Sequence, residues 1–175
     1  MVDAVRLKVL NELENEFLAT AAARKIAEVF GLETNVEAAK LKKPEQAYDS
    51  QRRQYNAATL LIQLEPSPDL ILLITDRDIY VPGLNFVFGY APGKAGVVST
   101  CRLDPVRTEG RADPNLLLRR TVKEAVHETG HLLGLLHCTT PGCVMNFSNS
   151  VPEVDLKQDT PCRRCLSRIT FLRPR

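Results

Sequence analysis

The stretch HETGHLLGLLHC, residues 127–138, contains all three histidines of a 175-residue chain: His127, His131 and His137. The first two are four residues apart, so in a helix their imidazoles would lie on one face, about 40° apart around the axis. Two imidazole nitrogens on one helix face can bind Zn²⁺. His137 could not join them in a continuous helix, because it would lie about 9 Å further along the axis and on another face.

Gly134 removes that difficulty. Glycine adopts the left-handed conformation without a steric penalty, so the helix can end there and the chain can turn back to bring in His137 as a third ligand. Three protein ligands leave the fourth tetrahedral position for water, as in catalytic zinc sites. Glu128 lies about 100° around the helix from His127. It can take a proton from zinc-bound water and pass it to the leaving amine of a peptide.

A different interpretation is a buried helix whose histidines form hydrogen bonds within the core. The motif H-E-x-x-H by itself leaves that interpretation open. The addition of Gly134 and His137 at fixed spacing favours the catalytic zinc site.

Composition and charge narrow the class of protein. The chain is 44% hydrophobic and 25% charged, which is ordinary for a globular protein, and its length suits one domain. Basic residues outnumber acidic ones by 23 to 21, so no broad nucleic-acid surface is expected. No apolar run approaches the roughly 20 residues of a membrane span, and the N-terminus lacks the apolar segment of a signal peptide. We expect a cytoplasmic monomer that binds a peptide or protein substrate, but neither nucleic acid nor membrane.

Hydrophobic periodicity and turn residues predict a mixed α/β architecture. The run LILLIT is apolar throughout and bounded by turn residues, which predicts a central strand. Asp113 and Pro114 are a favourable N-cap and first residue for the helix that carries the histidines. The turn signal PGK between two later strands indicates either an antiparallel pair or a longer loop. The predicted strands are 5–10, 34–41, 70–75, 85–91 and 95–103, the predicted helices 11–30, 54–66 and 114–134, and the predicted loop 42–53.

Four of the five cysteines follow the histidines in two pairs, Cys138-x4-Cys143 and Cys162-x2-Cys165. Two such pairs brought together form a closed four-thiolate zinc site, which is structural. Three nearby arginines would offset its negative charge: Arg163, Arg164 and Arg168.

Three other interpretations of the cysteines remain. Two disulfides are disfavoured because no export signal is present. A redox-active C-x-x-C would be expected to open a helix after a central strand. A zinc ribbon for nucleic acid fits poorly with a nearly neutral chain. Cys101 is left over and is expected to be a buried, inert thiol.

The run H-E-x-x-H-x-x-G-x-x-H-C-x4-C-x-M and the later C-x-x-C, together residues 127–165, resemble the archaemetzincins. That family belongs to the metzincin clan of zinc metallopeptidases and combines a metzincin site with a second, cysteine-bound zinc. The segment ITDRDIYVPGLNFVFGYA (74–91) is also similar to the family's upstream strand region.

The resemblance implies a zincin-like α+β fold, with a mixed twisted sheet, a long active-site helix and a small zinc-stapled C-terminal subdomain. We therefore expect a single metallopeptidase domain over 1–175, with an upper subdomain at about 1–137 and a lower one at about 138–175. Two Zn²⁺ ions per chain are implied, one catalytic and one structural. Met145 would be the methionine that packs beneath the histidines.

The resemblance also implies peptide hydrolysis, with an aminopeptidase preference. In metzincins an upper edge strand pairs with the extended substrate. The segment 85–91 is the candidate for that strand, and an ordinary half-buried strand is the equal alternative. No tyrosine closely follows Met145 to stabilise an oxyanion, and the four tyrosines are left unassigned. Asp76 and Asp78 are interpreted as turn residues rather than as a cation site.

Two further functions use the same residues. The first is a two-zinc binding or scaffold module with weak or no catalysis, in which Glu128 would have no role. The second is a zinc hydrolase that acts on a non-peptide amide, because the metal and the base would be identical.

Overall fold

The computed structural model describes residues 5–169. Within that range the strands are β1 (Arg6–Asn11), β2 (Glu33–Ala38), β3 (Tyr48–Asp49), β4 (Gln54–Asn56), β5 (Leu70–Thr75), β6 (Ile79–Tyr80), β7 (Gly89–Tyr90) and β8 (Ala95–Ser99). The helices are α1 (Phe17–Phe30), α2 (Ala57–Ile62), α3 (Pro105–Thr108), α4 (Pro114–Leu132), α5 (Val151–Leu156) and α6 (Arg163–Leu166), with a short 3-10 helix at Pro44–Ala47. The predicted mixed α/β class is confirmed.

The main sheet has five strands in the order β2-β1-β5-β8-β7, in which β7 alone is antiparallel to its neighbour. Strand β5 is central, as its uniformly apolar sequence predicts. Leu72 and Ile74 pack into the hydrophobic cluster on one face of the sheet, and Ile71 and Leu73 pack into the cluster on the other face. A strand buried on both faces needs apolar residues at every position.

Helices cover both faces of this sheet. Helix α4 packs against α1 and against β8 and β5, whereas α2 contacts β8 from the other side. The side chain of Asp113 accepts a hydrogen bond from the Leu116 amide at 2.9 Å, which caps α4 as predicted. The C-terminal half of α4 lies next to the edge strand β7. That half carries His127, Glu128 and His131.

The predicted start of the first helix at residue 11 is wrong by six residues. Asn11 ends β1, and its side-chain amide donates to the carbonyl oxygens of Leu13 and Asn15. The Asn15 side chain in turn accepts from the Phe17 amide, where the helix begins. These local hydrogen bonds stabilise a turn in place of the first helical residues.

The predictions for residues 42–66 are also partly wrong. The expected loop contains the 3-10 helix and β3, and the expected helix begins with the strand β4. The Asn56 side chain accepts from the Thr59 amide and starts α2 at Ala57. Strand β4 pairs with β3 and with β6, so a second, three-stranded sheet has the order β3-β4-β6.

Two later strands are shorter than predicted. Only Gly89–Tyr90 of the segment 85–91 is a strand, and it is the antiparallel edge of the main sheet. Strand β8 ends at Ser99, after which the chain turns toward α3. Among residues 5–169, no helix combines the length and the apolar character needed to cross a membrane.

Candidate active site

Helix α4 ends in a glycine-capped turn that reverses the chain. Gly134 has a φ of 86°, and its amide donates to the His131 carbonyl at 2.9 Å. The following amide, of Leu135, donates to the Gly130 carbonyl, also at 2.9 Å. This pair of bonds is a Schellman motif. It directs the chain back along the helix, so that His137 returns toward the two earlier histidines.

The three imidazoles converge as the sequence predicted. The Nε2 atom of His131 is 3.1 Å from that of His127 and 3.3 Å from that of His137. Nitrogen atoms bound to one tetrahedral zinc ion at about 2.0–2.1 Å are about 3.3–3.4 Å apart. The three side chains therefore fit a single zinc ion.

Backbone carbonyls orient two of these rings. His127 Nδ1 lies 2.7 Å from the Val144 carbonyl oxygen, and His131 Nδ1 lies 2.8 Å from that of Leu135. An Nδ1 atom that donates to a carbonyl leaves the Nε2 lone pair free for a metal. Burial lowers the pKa of His127 well below its usual value, and it also lowers those of His131 and His137, which favours the neutral form that binds metal.

Glu128 is buried on the same helix and lines the same cleft as the histidines. Burial raises the pKa of its carboxyl group well above the usual value. The negative charge of Glu124 acts in the same direction, and the positive charge of Lys157 opposes both. A carboxyl group of raised pKa can both accept and donate a proton near neutral pH.

Gly89, which the sequence analysis did not identify as a site residue, leaves the space in the cleft that the Glu128 carboxyl group occupies. A Cβ atom on Gly89 would lie 2.4 Å from Glu128 Oε1 and 2.6 Å from Cδ. Only glycine leaves room for the carboxyl group beside edge strand β7. The sequence signal was a glycine inside a segment of large apolar residues.

Met145 is fully buried and packs against α4 near the histidines. A Cβ atom on Gly130 would lie 2.4 Å from the Met145 sulfur. A glycine inside a helix weakens it, so its presence at position 130 is a readable sign of this close contact.

A cleft of about 510 Å³ lies over these residues. The chain segment that includes β7 forms one wall, from Val81 to Ala91, and residues 147–149 line the cleft as well. Phe147 packs on the His137 ring, with the ring centroids 5.0 Å apart. Tyr90, which the sequence analysis left unassigned, also lines the cleft.

The four C-terminal cysteines form a second cluster. The sulfur atoms of Cys138 and Cys162 are 3.9 Å apart, as are those of Cys143 and Cys165. Thiolates bound at about 2.3 Å to one tetrahedral zinc ion are about 3.8 Å apart, so the four fit a zinc ion. All four are free thiols, which does not support the disulfide alternative.

Amide and guanidinium groups support this cluster. The Thr140 amide and the Arg164 side chain donate to the Cys138 sulfur at 3.4 and 3.5 Å. Burial acts to raise the pKa of Cys138, but hydrogen bonds from the side chain and amide of Thr140 and from the Arg164 side chain outweigh it and lower the pKa to about 5. Arg163 and Arg168, the other two arginines expected to offset the negative charge of the thiolates, lie exposed.

Two of the remaining candidates, Asp78 and Cys101, have local partners. Asp78 forms a two-point ion pair with Arg102 at 2.7 and 2.8 Å, and Asp76 lies exposed. Cys101 is half-buried rather than buried, and Arg107 donates to its sulfur at 3.1 Å. Burial raises the pKa of the Cys101 thiol, which suits an unreactive group.

Comparisons with known proteins agree with this geometry. The model of "Peptidase family M54" matches residues 38–170. The archaemetzincin of Methanocaldococcus jannaschii is 37% identical over 171 residues, which cover 97% of this chain and 94% of the relative. That of Methanopyrus kandleri is 47% identical over 146 residues, which cover 80% and 79%.

Two solved structures extend the likeness to the fold. The archaemetzincin structure from Methanopyrus kandleri aligns with a TM-score of 0.82 at 39% identity and covers 97% of this chain and 95% of its own. The Archaeoglobus fulgidus structure, a complex with malonate, aligns with a TM-score of 0.79 at 38% identity and covers 94% and 100%. The chain therefore belongs to peptidase family M54, the archaemetzincins, and is a zinc metallopeptidase.

Proposed function

We propose that His127, His131 and His137 bind the catalytic zinc and that Glu128 is the general base and acid of peptide hydrolysis. The observation that carries this proposal is the convergence of three Nε2 atoms beside a buried carboxyl group in one cleft. A zinc ion held there supplies a water of lowered pKa and polarises the peptide carbonyl.

The chain's own groups have separate tasks in this reaction. Glu128 accepts a proton from the attacking water and then donates it to the nitrogen of the leaving amine. The carbonyls of Val144 and Leu135 hold two imidazole rings in the orientation that exposes Nε2. Burial in the cleft keeps the carboxyl group away from bulk water, which strengthens its interaction with the substrate.

We further propose that an extended peptide pairs with the outer side of β7. Support comes from the position of β7 as the antiparallel edge strand of the main sheet and from the presence of Gly89 and Tyr90 in the cleft wall. An edge strand offers unpaired amide and carbonyl groups to a peptide backbone.

The second proposed metal is a structural zinc held by the four thiolates of Cys138, Cys143, Cys162 and Cys165. Their spacing and the hydrogen bonds to their sulfur atoms support two zinc ions per chain. We also propose a single domain with an upper part at 1–137 and a lower part at 138–175, of which residues 1–4 and 170–175 lie outside the described range. Free thiols suit a reducing cytoplasm. We further propose that the protein is a monomer with a peptide or protein as its partner.

The test is digestion of a peptide library by the wild type and by Glu128→Ala, with zinc measured in both. We expect two zincs per chain in each protein and cleavage by the wild type only. Equal cleavage by both would remove Glu128 from the reaction. If neither protein cleaves any peptide, the scaffold function or an amide other than a peptide becomes the better interpretation.

The same library separates two modes of cleavage. Peptides with free and acetylated N-termini are compared at matched sequence. We propose aminopeptidase action, which requires that acetylation abolish cleavage. Cleavage of both sets at internal bonds would instead identify an endopeptidase.

A further inference from the structure

A buried ion pair lies beside the candidate active site and has no part in the function proposed above. The Lys157 ammonium nitrogen is 2.7 Å from a carboxylate oxygen of Glu124, and the two side chains are 2% and 4% exposed. Removing two charges from water disfavours folding, and an apolar pair of similar volume is often as stable. Core stability alone therefore does not explain the pair.

Glu124 is placed to act on the residues of the zinc motif. It precedes His127 by three positions and Glu128 by four, so it lies on the same side of α4, one turn earlier. Its side chain lines the same cleft as those two residues. A shift in the position of Glu124 would therefore move the turn of α4 that carries His127 and Glu128.

Lys157 comes from a distant part of the sequence, directly after α5. Besides its bond to Glu124, its ammonium group donates to the carbonyl oxygen of Asn146 at 3.2 Å. Lys157 therefore joins α4 to the loop of residues 144–146. Its positive charge also acts on all three histidines of the site.

That loop already holds the site through two neighbouring carbonyls. The Val144 carbonyl is 2.7 Å from His127 Nδ1, and the Met145 carbonyl accepts from the Cys138 amide at 2.9 Å. With the Lys157 bond, three successive carbonyls of the loop each accept one hydrogen bond from a different part of the chain. The third of these bonds leads back to α4 through Glu124.

We propose that Glu124 and Lys157 are positioning residues for the active site. They hold the turn of α4 that carries His127 and Glu128 at a fixed distance from the loop of residues 144–146. Loss of this connection lets the imidazole and the carboxyl group shift relative to each other. The kinetic part of this inference rests on the proposed function, whereas its geometric part does not.

The test replaces both charges together, with Glu124→Leu and Lys157→Met in one chain. An apolar pair of similar volume is expected to fold, since no buried charge is left alone. With peptide substrate, we expect kcat to fall by at least about tenfold while KM stays within about twofold, because a small displacement of reacting groups affects the chemical step. With cadmium in place of zinc, NMR separates imidazole-bound from thiolate-bound metal, and only the imidazole-bound signal should move.

The matched control is Asp155→Asn, which weakens another connection between α4 and α5. Asp155, on α5, forms an ion pair at 2.8 Å with the buried Arg120, which lies on the same helix as Glu124. This variant should lower Tm and leave the cadmium signals and kcat unchanged at temperatures below its transition.

The outcomes separate the two hypotheses. A double variant with a wild-type cadmium spectrum and wild-type kcat would overturn the positioning role, and so would one that does not fold, since the pair would then serve the fold itself. If the wild type cleaves no peptide, the proposed function fails, while the cadmium spectrum of the double variant still decides whether the pair positions the site.

Discussion

The smallest residue in the cleft wall controls the position of the proposed base. At Gly89 a methyl group would lie 2.4 Å from Glu128 Oε1, so the buried carboxyl group would have to move from its position. We predict that Gly89→Ala lowers kcat by about tenfold to a hundredfold, because misplacing a reacting group by about 1 Å has an effect of this size. The measurement is steady-state cleavage of the best library peptide, with zinc content determined in parallel.

Gly93→Ala is the matched control, since no atom lies within 4 Å of a Cβ at that position. It should cleave at the wild-type rate. A Gly89→Ala enzyme with wild-type kcat would show that the position of the Glu128 carboxyl group is not fixed by this contact.

A second glycine, Gly130, is explained by its contact with Met145. Replacing an exposed helical glycine by alanine stabilises a helix by about 1 kcal/mol, but at Gly130 the new methyl would lie 2.4 Å from the buried sulfur of Met145. Overpacking a core costs about 1–3 kcal/mol. We therefore predict that Gly130→Ala reduces the free energy of unfolding by about 1 kcal/mol, measured in urea.

The sign of this effect should reverse when the methionine is shortened. In a Met145→Ala background the contact is gone, and Gly130→Ala should then raise the free energy of unfolding. If the substitution has the same effect in both backgrounds, the Gly130–Met145 contact does not explain the glycine.

Among the elements, the turn after α4 brings the third histidine into place. A Cβ on Gly134 would meet no atom within 4 Å, so the requirement for glycine there comes from its φ of 86°. Left-handed backbone costs a residue with a side chain about 1–2 kcal/mol, and asparagine less than most. We predict a lower Tm for Gly134→Ala than for Gly134→Asn, with both below the wild type, in thermal unfolding.

The comparison of the two variants tests the backbone explanation directly. Alanine is smaller than asparagine, so an effect of size would give the opposite order. Equal Tm values for all three proteins would show that the turn does not depend on the left-handed residue.

The elements predicted best from the sequence are those whose signals are local. Helix α4 has its N-cap, its periodicity and its terminal glycine within one continuous segment, and the prediction of 114–134 differs from the structure by two residues at the end. Strand β5 was equally clear, because burial on both faces makes every residue apolar. The short strands β4 and β6 were missed because they are defined by pairing between distant segments, such as Tyr55 with Ile79. Strand β3 was missed because it has only two residues, which is too short for a periodic pattern.

The same distinction applies to the site. The histidines and cysteines occur at spacings that metal geometry requires, so the sequence predicted both clusters. Gly89 and Lys157 lie 39 and 29 residues from Glu128 along the chain, and their contacts with α4 depend on how the sheet edge and the C-terminal segment fold against it. The local sequence marks Gly89 only as a glycine among large apolar residues, and neither position reveals which residue of α4 it contacts.

In the molecule as a whole, the two proposed metal sites are directly connected, because one ligand of each lies at consecutive positions in the sequence. His137 belongs to the histidine cluster and Cys138 to the cysteine cluster, and the Cys138 amide donates a hydrogen bond to the Met145 carbonyl. We predict that Cys165→Ser reduces bound zinc from two ions to one and lowers Tm by at least about 10 °C, since structural zinc contributes strongly to folding. Zinc content and thermal unfolding are the measurements.

Cys101→Ser provides the control for this prediction, because Cys101 is a free thiol outside both clusters. It should retain both zinc ions and the wild-type Tm. Because His137 and Cys138 are adjacent, loss of the structural zinc should also loosen His137. We therefore expect Cys165→Ser to reduce peptide cleavage even when zinc is bound to the histidines. A Cys165→Ser protein that loses one zinc and still cleaves at the wild-type rate would contradict this coupling, and the two metal sites would then be independent.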